Sequence, residues 1–287
     1  MSPFSMCARC VLFFLSVVLA APLSAGPPSF GGRVAAEWDA ATSCQFVTTD
    51  NKTCVFNMSQ GFANILIDTP QDVLITAGAT LIALGTFQVR SAGQIVIDRG
   101  AILTSELQDI TLDARNITIT AGASLTSTRG SLMMAANSSG GELAQLLVSK
   151  ESIITAQLDV SLGGSLISII DGAVVTAGRV ATIGNTTAAV CSGGIVLENA
   201  VVTGGVVDLS CSSGLVALAS NATASATFKD GSVRLSSLAD GISCDSHSIT
   251  RSVNAPLLVI TAGGDVKMNC ALKVGTLRVA AVGKTVL

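Results

Sequence analysis

The chain has 287 residues, of which 49% are hydrophobic, 12% charged and 3% aromatic, with a formal net charge of −3. A charge balance so near neutral, without a basic cluster, excludes the electrostatic footprint of a nucleic-acid binder. One histidine and no tyrosine leave little material for imidazole-based catalysis or zinc binding.

The N-terminus reads as an export signal. Arg9 supplies the positive start, Val11–Ala21 is an apolar core too short to span a bilayer, and small residues offer cleavage after Ala25 or Ala20. Residues 1–25 are therefore assigned to a signal peptide, and Cys7 and Cys10 inside it to chance. Past that point no apolar run approaches the ~18 residues of a spanning helix, so no transmembrane segment is expected after cleavage. Residues 26–63 are expected to form a lead-in, rich in Pro and Gly through residue 40, and then a small cap that holds Cys44, Cys54, Phe46, Phe56 and Phe62.

From Asn64 a repeat begins. VLITAGATL (73–81), IVIDRGAIL (95–103) and ITITAGASL (117–125) place Gly78, Gly100 and Gly122 22 residues apart. Ile75, Ile97 and Ile119 precede these glycines by three, and Leu81, Leu103 and Leu125 follow them by three. Apolar residues two apart mark a strand with one buried face, and a fixed period marks a solenoid. NILID (64–68) and TFQVR (86–90) repeat at the same spacing, so each rung holds at least two strands. Further anchors are Lys150, Gly172, Asn199, Asn221, Gly241, Gly263 and Thr285, most of them again 22 apart. The long steps coincide with polar loop insertions near 137–145 and 184–194, and ELAQLLVSKES (142–152) is compatible with a short helix. The expected fold is all-β: a single-stranded parallel β-helix, or β-solenoid, over 64–287. Rungs stacked about 4.8 Å apart would make a rod on the order of 48 Å long and bury one aliphatic column.

Six cysteines remain after the signal: Cys44, Cys54, Cys191, Cys211, Cys244 and Cys270. An even number in an exported chain favours three disulfides, and proximity in sequence favours Cys44–Cys54, Cys191–Cys211 and Cys244–Cys270 among the fifteen pairings. Six asparagines stand in N-x-S/T sequons and are candidate glycosylation sites: Asn51, Asn57, Asn116, Asn137, Asn185 and Asn221.

Strings such as ITITAGASL and IVIDRGAIL resemble the β-helical repeats of filamentous-haemagglutinin and autotransporter-type adhesins, closely over 64–136 and loosely over 150–287. The resemblance implies a secreted or cell-surface scaffold with an adhesive role toward an unidentified surface ligand.

The inventory for chemistry is thin. His247 is the lone histidine, no G-x-S-x-G elbow occurs, and no CxxC or Cys/His pair survives in the mature chain. No catalytic, cofactor or metal residue is assigned. The enzymatic alternative is a pectin-lyase-like β-helix, whose acids would be Asp171 and Glu198 on adjacent rungs, with Asp240 in the same place two rungs on. The terminal VGKTVL reads as an open rung, which implies either a fragment of a larger surface protein or end-to-end self-association.

Overall fold

A computed structural model of the chain describes residues 46–47, 52–137, 143–245 and 253–287. Those residues contain strands and turns and no helix. The strands stack in parallel into a β-solenoid of about ten coils.

Three strands make a coil, one more than the two visible in sequence. Asp72–Ile75 lies on a first face (A), Thr80–Ala83 on a second (B) and Phe87–Ser91 on a third (C). The next coil repeats them as Gln94–Ile97, Ile102–Ser105 and Ile110–Ala114, each in parallel register with the strand below. The additional strand follows the glycine turn and carries the recurrent leucines. Leu81, Leu103 and Leu125 stack directly on one another and point inward, followed by Ile154, Val175 and Val202. Face A contributes the column Val73, Ile95, Ile117, Leu146, Ile167, and face C the column Phe87, Ile110, Leu132, Val160, all buried. Alternation at period two is thus met on every face by an aliphatic core, while parallel ladders pair the backbone.

The A-to-B corner explains the anchors. Gly78, Gly100, Gly122, Lys150, Gly172 and Asn199 all have positive φ, as a left-handed corner requires. The next corner uses Ser220 where the period points to Asn221. Beyond it the anchor series departs from the corner. Gly241 and Gly263 precede face A strands, and Thr285 lies inside one. The cause is a change of coil shape: Val253–Ala262 and Leu272–Ala281 are ten-residue strands that run from face B into face C without a turn. They merge those faces into one eighteen-stranded sheet.

Three further expectations are revised. Parallel stacking starts at Thr53–Phe56, earlier than Asn64, because Phe56 occupies the core place held by Ile75 in the next coil. Phe46–Val47 pairs antiparallel with that strand as part of the cap. The segment read as compatible with a helix is the face A strand Gln145–Val148, whose Leu146 and Val148 lie in the core. Both polar insertions fall at the C-to-A corner, after Leu132–Ala136 and after Val180–Gly184; of the first, residues 138–142 lie outside the described residues, as do residues 246–252 between Ile242–Asp245 and Val253–Ala262.

Candidate binding surface

Face B is where the outside of the solenoid repeats as strictly as the inside. Thr104, Thr126, Thr155, Thr176 and Thr203 are direct neighbours in five consecutive strands, and Ser225 extends the row. All point outward and are partly exposed. Two residues earlier in each strand stand Ile102, Ser124, Ile153, Val174, Val201 and Thr223, with Ile102, Ile153 and Val201 exposed to 43%, 46% and 37%. The outward positions from Thr80–Ala83 through Thr223–Ala226 include no charged and no aromatic side chain. The inward residue closing each strand is small. Ser105 and Ser127 are fully buried there and donate to carbonyls at the B-to-C corner, Ser105 to Gly85 at 2.6 Å and Ser127 to Gln108 at 2.9 Å.

Cross-strand threonines often stabilise a sheet by bonding to each other. Here the hydroxyls of Thr104, Thr126, Thr155, Thr176 and Thr203 have no partner among the described residues, whereas Thr76 and Thr227 bond to carbonyls of the coil before. The row therefore presents its donors and acceptors to the outside.

The acids identified in sequence have structural duties or mixed company. Asp171 and Glu198 do lie on adjacent coils, with the Asp171 amide donating to the Glu198 carbonyl at 3.1 Å. Asp171 has φ 57, a backbone state that Asp tolerates better than most residues. It shares an open depression of about 720 Å³ with Asp98, Arg99, Lys150 and Glu151, so the carboxylates there are interleaved with cations. Asp240 belongs to a different corner than expected. It precedes a face A strand, and its carboxylate accepts the Gly214 amide at 2.7 Å. Asp72 and Asp265 do the same for Gln94 and Lys284, and Asp109 does so for Ser131 at the B-to-C corner. A second open depression, about 710 Å³ at the C-to-A corner, alternates Asp68, Arg90 and Asp113. On face C burial raises the Asp208 carboxyl above its ordinary value of 3.8, against the opposing pull of Arg234 and a hydrogen bond from Ser210. Among the described residues no group of three or more His, Cys, Asp or Glu is placed to hold a metal ion.

Two cysteine pairings are as proximity suggests: Cys191–Cys211 and Cys244–Cys270. Cys54 is disulfide-bonded, and Cys44 lies outside the described residues, with His247 and Asn51. The described sequons sit at two corners. Asn57 and Asn221 are exposed between faces A and B; Asn116, Asn137 and Asn185 stand between C and A. Of the latter, Asn137 is exposed, while the amide oxygens of Asn116 and Asn185 accept backbone amides from Gln145 and Cys191 at 2.9 Å.

The threonine row is the feature that sequence reading passed over. Its signal was present: ILTS, SLTS, IITA, VVTA and VVTG, each two residues beyond the corner, repeat one pattern of apolar, Thr and small residues. No family model, no curated protein and no solved structure matches the chain.

Proposed function

We propose that this protein is an exported β-solenoid that acts without catalysis as a surface scaffold of adhesin type, with face B as its contact surface. The observation that carries the reading is the in-register row of unpartnered threonine hydroxyls on an uncharged face. Export agrees with the N-terminal signal, the disulfides and the sequons, which we read as glycosylated. Glycans at Asn57, Asn116, Asn137, Asn185 and Asn221 would stand at corners away from the B strands and the B-to-C corner. Face B adds no groove, so its partner is a flat or extended surface and not a molecule enclosed in a cleft.

A second contact follows from Leu272–Ala281. Among the described residues this strand pairs only with Val253–Ala262, and its Leu272, Val274, Leu277 and Val279 are only partly buried against the core. An open edge of this kind recruits another strand, and light scattering of purified protein tests end-to-end pairing of two copies.

The test of the main reading uses labelled, disulfide-intact protein and three probes: crystalline cellulose, chitin and fixed cells. Retention on one of them that Thr155→Lys abolishes and Ser168→Lys, on face A, leaves intact supports the reading. Calcium-dependent loss of a uronic-acid polymer, abolished by Asp171→Ala, would replace it with the β-helix enzyme.

A further inference from the structure

We infer that the partner of face B is ice: the threonine row and the aliphatic column beside it form a template for an ordered layer of water. The inference rests on face B being the contact surface and adds the identity of what it contacts.

Three properties of the face select among flat partners. First, it lacks charge. From Thr80–Ala83 to Thr223–Ala226 no outward residue is Asp, Glu, Lys or Arg, although faces A and C display Asp72, Glu198, Arg90 and Asp208. An ionic mineral or an anionic polymer would be met with charge, so the partner is neutral. Second, it lacks aromatic rings, the usual flat and rigid platforms for sugar faces; the outward set is Thr, Ser, Ile and Val. Third, it is periodic in two directions. Threonines recur every ~4.8 Å up the stack, and the second column lies roughly 7 Å away along the strand. The six-strand row is thus about 24 Å long.

Periodicity is what separates a solid from a flexible chain. Each Thr hydroxyl can donate one hydrogen bond and accept two. Its β-branched side chain is stiff at χ1, so the row loses little freedom when it binds. A lattice of water molecules at comparable spacing can meet all the hydroxyls at once, while the Thr, Ile and Val methyls occupy the open cages between water molecules. A disordered chain would have to be ordered residue by residue to do the same. None of the hydroxyls from Thr104 to Thr203 is used inside the protein, so none has to be released first.

The experiment freezes a slowly growing ice shell in a solution of the labelled, disulfide-intact protein alongside an inert globular control, and records crystal shape in a nanolitre osmometer. Wild-type protein and Ser168→Lys are expected to enter the ice and to facet the crystals. Thr155→Lys and the near-isosteric Thr176→Val are expected to be excluded like the control, with unchanged far-UV spectra and melting. Exclusion of the folded wild type from ice overturns the inference, as does incorporation that Thr155→Lys and Thr176→Val leave untouched. If ice excludes the protein while cellulose or chitin retains it through Thr155, ice is the wrong ligand and face B remains the contact surface. A wild-type dimer that Thr155→Lys dissolves, without ice binding, assigns the face to a second copy. Failure on every solid with the fold intact removes the contact surface as well.

Discussion

Leu103 and Thr104 are adjacent in one strand and make opposite predictions. Leu103 is fully buried on face B, directly between Leu81 and Leu125 of the neighbouring coils. Replacing it with alanine removes a buried side chain whose transfer to the core contributes about 1.5–3 kcal/mol. The space left cannot readily collapse, because the coils above and below are held at the ladder spacing by backbone hydrogen bonds on three faces. The cost is therefore expected toward the upper part of the usual range, about 3–5 kcal/mol. Thr104→Val removes a hydroxyl with no partner among the described residues and keeps the branched shape, so it is expected to stay within about 0.5 kcal/mol. Urea unfolding with disulfides intact measures both. Because long repeat arrays lose cooperativity, amide exchange across Gln94–Ile97 and Ser124–Ser127 should be followed in parallel; the Leu103→Ala loss should be greatest in those coils. A Leu103→Ala cost below about 1 kcal/mol, or a Thr104→Val cost equal to it, would refute the assignment of inside and outside on this face.

Other outcomes follow from particular contacts. Removing the Cys191–Cys211 bridge, which links residues 20 apart, should lower stability by about 3 kcal/mol and speed exchange in the 185–193 insertion first. Asp72→Ala strips the acceptor from the Gln94 amide and should cost about 1 kcal/mol, whereas Asp171→Ala, at an exposed corner position, should change urea stability by less than about 0.5 kcal/mol. Gly100→Val, at φ 64, should cost about 1–2 kcal/mol by melting, while Asn199→Gly should be nearly neutral. Because burial raises the folded Asp208 carboxyl above 3.8, the folded state holds that proton more tightly than the unfolded chain. Stability then falls as pH rises from 3.8 through the folded value, and Asp208→Asn should gain on wild type across that window. Urea midpoints of the two proteins from pH 3 to 7 check the sign.

The fold was legible where the core imposes one residue class on one place in the coil. Gly78, Gly100 and Gly122 with the isoleucines before them are such places, since a left-handed corner and a buried column each admit few side chains. The first coil was hidden because Phe56 fills the column with an aromatic ring where other coils have Ile, Val or Leu. The last coils were misread for a different reason. Val253–Ala262 crosses a corner without turning, so no glycine marks the step, and the period picked out Gly241 and Gly263 from another corner. Asp240 was misplaced by the same slip: spacing alone does not say at which of the three corners a polar residue lies.

The outward positions are more informative, because the core does not dictate them. On face C the outward neighbours Gln88, Thr111, Met133, Ser161 and Thr182 vary in size and chemistry from coil to coil. On face A the outward series Leu74, Val96, Thr118, Leu147, Ser168 does so as well. The intrinsic strand preference of threonine acts equally on all three faces and so cannot account for five successive threonines on one. Internal hydrogen bonding does not account for them either, since the hydroxyls are unpartnered among the described residues. What remains is a requirement from outside the molecule that one hydroxyl and one methyl recur at every coil. A partner that reads single residues would set no such requirement; only a partner that is itself periodic would, and that is the physical reason for seeking it among crystalline surfaces, with ice first.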